Sequence, residues 1–333
     1  MSTATPRLSL CFARRLAWAL AVAAAPCVAQ PPPAEYPVRS IRLIVAESPG
    51  SADEFFARSI SKELEMLYGQ RVVIDSRPGA GGLIGNTLVS QAAADGYTLG
   101  MVGVTRLITA LMREQPPYRP LADIVGVAHV ASITNVLVVT PQIPVRGAAE
   151  FVRYARVRPG ELNFASLGIG SASHLAGVVF SRALGVTAVH VPFRTITSTD
   201  VEMRLGLVHY AVLTLPAVLA SLREERLRAL AVMTPQRSVM LPEVPAIAEV
   251  GLPDAQFDTW SGIVAPRSTS RRIVEQLHGD IMLGLRKSAL RRSFMRQGAE
   301  SMVDNTPDGF MRMMQEEYLR YEALIRDGGI RPE

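Results

Sequence analysis

Short apolar runs alternate with stretches of helical period along most of this chain. Ile41-Arg42-Leu43-Ile44-Val45 reads as a strand ending in a Ser48-Pro49-Gly50 turn. Phe56, Ile60, Leu64 and Leu67 then recur at helical spacing, with Gly69 as the stop and Ser51-x-x-Glu54 as a capping box. A strand at 71–75, a Gly79-Ala80-Gly81-Gly82 turn, a helix to about 93 and a strand at 98–102 follow. A second set opens near Asn135, with strands at 136–139, 162–165, 186–191, 210–213 and 227–233 and helices at 147–158 and 173–183. A late strand at 260–265 precedes helices near 270–286, 288–297 and 307–327, the last with Thr306-Pro307 as cap and first residue. This alternation predicts α/β layers around a mostly parallel sheet. The strand, glycine-rich loop and helix found in each half predict two lobes of related design.

The first 29 residues break the pattern. Arg14-Arg15 precede an apolar run from Leu16 to Ala25, and Pro26 and the small residues around Ala29 follow, as in a cleaved secretory signal. The run is shorter than the roughly 20 residues a membrane span needs. Both cysteines, Cys11 and Cys27, lie inside the first 29 residues, which excludes disulfides, cysteine nucleophiles and zinc–thiolate or iron–sulfur sites from the mature chain. The leader also holds three of the arginines behind the net charge of +5 over 333 residues. No concentrated basic stripe remains, so a nucleic-acid partner is not expected.

Catalytic motifs are sparse. Gly79-Ala80-Gly81-Gly82-Leu83-Ile84-Gly85 displaces the last glycine of a dinucleotide fingerprint by one position, and reads as a tight turn that can present amides to an anion. Gly168-Ile169-Gly170-Ser171 is offset from a nucleophile elbow. His174, one helical turn on, is close enough for a Ser171/His174 hydrolase to stand as an alternative, without an identifiable carboxylate. His129, His174, His190, His209 and His278 lack zinc spacing, and no metal or cofactor is expected. Two glycine/serine-rich loops, each between a strand and a helix, suit a binding protein that closes on a small anion.

The residues also resemble a known family. Tyr36-Pro37-Val38-Arg39, Arg77-Pro78-Gly79-Ala80-Gly81-Gly82, Ala94-Asp95-Gly96-Tyr97-Thr98-Leu99, Pro159-Gly160-Glu161-Leu162-Asn163-Phe164-Ala165-Ser166, His190-Val191-Pro192-Phe193-Arg194 and Gly328-Gly329-Ile330-Arg331-Pro332-Glu333 occur in the order seen in Bug-type extracytoplasmic receptors. These are the substrate-binding components of tripartite tricarboxylate transporters. The resemblance implies a two-lobed periplasmic-binding-protein (Venus flytrap) α/β fold with a ligand cleft between domains. Domain 1 is expected from 36–134 plus 260–333 and domain 2 from 135–259. It further implies a periplasmic, monomeric, non-enzymatic receptor for a small carboxylate, partnered by transporter membrane subunits or, alternatively, by a signalling protein.

Several family positions differ here. The first loop of the family usually reads P-F-A-P-G-G-G-T-D, and this chain has Ala46-Glu47-Ser48-Pro49-Gly50-Ser51-Ala52-Asp53-Glu54. Glu47 or Asp53 facing the cleft disfavours a plain polycarboxylate and suits a ligand with an amine, amide or hydroxyl at that end. The competing reading has Glu54 capping its own helix and Glu47 in solvent. Ligand contacts are expected from Glu47, Ser48, Asp53, Gly81 and Thr105 in domain 1. In domain 2 they are expected from Ser166, Gly168, Ser171, His174, Phe193, Arg194, Thr195 and Thr214, with helix packing as an equal alternative for His174.

Overall fold

The computed structural model describes residues 36–47 and 49–327. The leader proposed for 1–29, Ser48 and the closing 328–333 lie outside the described residues. The chain divides into a short unit, Met1–Val38, and a large one, Arg39–Glu333, which carries all that follows.

In the large unit the predicted alternation is present. Strand β1 (Ile41–Val45) leads into helix α1 (Ala52–Tyr68), then β2 (Val72–Ser76), α2 (Leu83–Ser90) and β3 (Thr98–Gly103). Phe56, Ile60 and Leu64 are buried on the inner face of α1, and Gly69 ends the helix in the left-handed region at φ 62°. Leu67 departs from expectation and is exposed, in the last turn beside that stop. After β3 come α3 (Val104–Leu111), β4 (Ile124–Ile133) and β5 (Asn135–Val139). The middle of the chain supplies α4 (Ala148–Arg156), β6 (Asn163–Ser166), α5 (Ala172–Leu184), β7 (Val189–Pro192), α6 (Ile196–Arg204), β8 (Tyr210–Thr214), α7 (Leu215–Arg223) and β9 (Arg228–Val232). Then β10 (Thr259–Pro266), α8 (Arg271–Leu285), α9 (Ser288–Arg296), β11 (Ala299–Ser301) and α10 (Pro307–Asp327) close the described chain.

These strands form two sheets, ordered β11-β4-β10-β3-β1-β2 and β7-β6-β8-β5-β9. Each contains a parallel trio with its earliest strand in the middle, β2-β1-β3 in one and β7-β6-β8 in the other. The remaining pairings are antiparallel, so the expectation of a mostly parallel sheet is corrected to two mixed sheets. The cause is the chain path. β4 and β5 are separated by a single residue, and β10 re-enters the first sheet from β9 of the second. Neither step is a crossover helix, which is what parallel neighbours require.

The two passages between the sheets are tied together. Thr259 pairs with Ile133, and Asn135 Nδ2 donates to Phe257 O at 2.9 Å and to Thr259 Oγ1 at 2.8 Å. Both strands of the connection are therefore held together at one buried amide. The result is a two-lobed α/β fold with one sheet in each lobe.

Candidate functional site

Helix α3 follows β3 through Gly103 and carries Val104, Leu107 and Ile108 into the core. Arg106 shares that segment and is 3% exposed, so its charge must be met inside the protein. Its Nη1 donates to Glu47 Oε1 at 2.8 Å, and its Nη2 donates to Asp53 Oδ2. Asp53 accepts a further bond from Ser261 Oγ on β10. Arg106 Nε is buried and has no described partner. A Cβ on Gly82 would lie 3.2 Å from Arg106 Cγ, and Gly82 sits at φ +91°, so glycine there serves the close passage of the arginine stem. Burial pushes the Asp53 carboxyl up to about 6, against the pull of Arg106 and with a further push from Glu47. Burial alone would lower the Arg106 guanidinium, but the Asp53 and Glu47 carboxylates hold it above its ordinary value.

Both readings of the first loop meet here. Ser51 Oγ accepts from Glu54 N–H at 3.2 Å, and the Glu54 carboxylate accepts from Gly50 N–H at 2.5 Å and binds Arg58. Glu54 thus serves the helix start, while Glu47 and Asp53 border a cavity.

In the second lobe the loop between β6 and α5 is held by its own polar groups. Ser171 Oγ caps α5 by accepting from His174 N–H at 3.2 Å and donates to Gly168 O at 2.7 Å. His174 Nδ1 accepts from Gly170 N–H at 3.2 Å, and its ring stacks on His190 with centroids 3.9 Å apart. Ser166 Oγ meets His190 Nε2 at 2.6 Å. Burial lowers His174 to about 4, aided by the neighbouring His190, which burial also lowers. The Ser171 hydroxyl thus engages the backbone of His174 while the ring is turned to Gly170 and His190, so no Ser171–His174 relay forms, and the serine–imidazole contact of this loop is instead the one between Ser166 and His190.

A cavity of about 860 Å³ lies between the walls. The first turns of five helices reach it: Ser51 to Glu54 of α1, Gly103 to Arg106 of α3, Ser171 to Ser173 of α5, Ile196 of α6, and Thr214, Pro216 and Ala217 of α7. No side chain caps α3 or α7. The first-turn amides of α3 are therefore suited to an anionic oxygen; at α7 Leu215 N–H donates to Thr134 O at 2.8 Å and Pro216 has no N–H, which leaves Ala217 N–H and the helix dipole. Among the described residues, no group of three or more His, Cys, Asp or Glu is placed to hold a metal. No described helix is long and apolar enough to cross a membrane.

Of the residues singled out from sequence, Glu47, Asp53, Thr105, Ser171 and Thr214 border the cavity. Ser48 is outside the described residues. Gly81 lies on an adjoining 300 Å³ cavity with Thr105 and Ser171, its absent Cβ leaving room for Thr109. Ser166, Gly168, His174, Phe193, Arg194 and Thr195 are not on the main cavity wall. Ser166 and His174 are buried beneath the loop, and Gly168 makes its turn at φ +116°. Phe193 packs into the second lobe's apolar cluster, Arg194 is exposed, and Thr195 caps α6 by accepting from Ser198 N–H at 3.1 Å. Arg106 was not foreseen. The signal open to sequence reading was one arginine in the apolar run Val104-Thr105-Arg106-Leu107-Ile108, directly after a strand.

Known proteins share this frame. The model of the tripartite tricarboxylate transporter family receptor matches residues 56–330. Protein BugT of Bordetella pertussis is 32% identical over 296 residues, covering 88% of this chain and 90% of its own. A Rhodopseudomonas palustris protein solved with adipate is 31% identical with a TM-score of 0.78, over 90% of this chain and 100% of its own. MatC of the same organism, solved with malate, is 29% identical with a TM-score of 0.74, over 87% of this chain and 100% of its own. This chain belongs to the tripartite tricarboxylate transporter receptor family.

Proposed function

We propose that this protein is a periplasmic solute receptor that holds a small carboxylate in the 860 Å³ cavity and presents it to the membrane subunits of a tripartite tricarboxylate-type carrier. The observation that carries this reading is the arrival of five helix N-terminal turns at one cavity, two of them without a side-chain cap. Unpaired amides and the positive dipole ends favour a carboxylate, and the hydroxyls of Thr105 and Thr214 add adjustable donors. The adipate and malate held by the two R. palustris relatives support the same chemistry. We assign the lobes to 36–134 plus 260–333 and to 135–259, with the Asn135 crossing as their pivot, and residues 1–29 to export.

The test is a thermal-shift screen of the mature chain against a small-carboxylate library, followed by calorimetric titration. A true ligand at 100 times its Kd stabilises the folded state by about 2.7 kcal/mol. Absence of any carboxylate-dependent shift at millimolar concentration would overturn the reading. No hydrolysis of simple esters is expected, because the Ser171 hydroxyl and the His174 ring are committed to separate backbone partners.

A further inference from the structure

Five charged side chains border the cavity: Glu47, Asp53, Glu54, Arg58 and Arg106. Their formal sum is −1, and the excess is localised. Arg58 turns Nε and Nη2 onto Glu54 Oε1, so that pair cancels. Arg106 faces two carboxylates with both Nη atoms, and its Nε is sealed from solvent. The charge of the buried guanidinium is met by Glu47 and Asp53, one bond from each Nη. Asp53 is likewise consumed, between Arg106 and Ser261. What stays open is Glu47. Its side chain is 34% exposed, Arg106 meets Oε1, and no described residue donates to Oε2. The uncancelled negative charge of this wall therefore has a defined acceptor atom at the cavity.

The opposite wall is of another kind. Asn135, Ser171, Ser173, Thr214, Pro216 and Ala217 bring amides, hydroxyls and two helix starts, with no charged side chain. One end of the space offers donors and the other an unpaired carboxylate. We propose that the ligand is a zwitterion whose carboxylate lies toward the α5 and α7 N-termini and whose cationic nitrogen, separated from it by an aliphatic spacer, donates to Glu47 Oε2. This rests on the carboxylate-receptor reading and adds the charge of the ligand's far end. A dicarboxylate of equal length places a second anion against Glu47. Both guanidinium groups in the lining already face carboxylates, Arg106 those of Glu47 and Asp53 and the two-thirds exposed Arg58 that of Glu54. Like charges at such a site repel, and rejection of the wrong end group is a source of specificity in its own right.

The experiment compares adipate with 6-aminohexanoate, which replaces one carboxylate by an aminomethyl group at similar length. Both are titrated calorimetrically into the mature wild-type protein and into Glu47→Gln. The expected result is wild-type binding of 6-aminohexanoate at least roughly tenfold tighter than adipate, with that ratio falling by about tenfold in Glu47→Gln. Adipate binding as tightly as 6-aminohexanoate, or tighter, overturns the inference and leaves the carboxylate reading intact. Binding of neither compound overturns the inference and leaves the carboxylate reading to the library screen, whereas equal binding of hexane-1,6-diamine, which has no carboxylate, overturns both. The wild-type comparison stands even if the variant folds poorly.

Discussion

The wall built on the first sheet seats Glu47, Asp53 and Arg106 within bonding reach of one another, whereas the wall built on the second presents Ser171, Ser173 and Thr214. Each is reached through a helix N-terminus that follows a strand, so the backbone contribution is similar. The difference lies in what fixes the side chains. In the second lobe the loop is tied by neutral hydrogen bonds, each worth about 1 kcal/mol net. In the first, a buried cation and two carboxylates from distant segments depend on one another, and removal of one partner exposes the full desolvation cost of the others. The neutral wall is tolerant and the charged wall brittle.

The largest expected effect follows from that dependence. Arg106→Leu leaves Asp53 buried beside Glu47 without a cation, and should lower unfolding stability by about 3–5 kcal/mol in urea titrations. Adding Asp53→Leu removes the stranded carboxylate and should recover much of the loss. A double variant as unstable as the sum of its single changes would show that the cluster is not coupled.

Acid separates the walls in the opposite sense. His174 is held at about 4, below its ordinary 6.5, so between those values the unfolded chain binds more protons and stability falls as pH falls. Asp53 is held at about 6, above its ordinary 3.8, so between those values the folded chain binds more protons. Its contribution is present below about 4 and lost as pH rises through about 6. His174→Asn should flatten the acid loss by on the order of 1–2 kcal/mol, allowing for partial solvent screening, and Asp53→Asn should steepen it. Urea midpoints at pH 4, 5, 6 and 7 for parent and variants measure both slopes, and equal slopes in all three would refute the assignment.

Much of the frame was legible because local patterns specify it. Phe56, Ile60 and Leu64 announce α1, Gly69 stops it, and the apolar runs at 41–45 and 136–139 announce β1 and β5. Strand direction was less legible, since β10 joins the first sheet only after the chain has built the second. The charged wall was half legible. Glu47 and Asp53 stood out as departures from a familiar loop, but Arg106 is 59 and 53 residues away from them, and no local period reveals such a pairing. The same holds for Ser166 and His174, whose burial depends on His190 packing from β7.

Smaller changes test the neutral wall. Ser171 caps α5 with its hydroxyl, and Ser171→Ala should cost about 1 kcal/mol of stability and weaken carboxylate binding at the same time. Thr214 offers the sharper contrast, because it stands at the start of α7 without making a side-chain capping bond. Its hydroxyl is therefore not needed by the helix, and Thr214→Val keeps the branched shape that suits the end of β8. Stability in urea should stay within about 0.5 kcal/mol of the parent. Affinity for the carboxylate found by titration should nevertheless fall by roughly threefold to tenfold, the range of one neutral hydrogen bond. A stability loss as large as that of Ser171→Ala, with affinity unchanged, would place Thr214 among the supports of the fold and take it out of the ligand's reach.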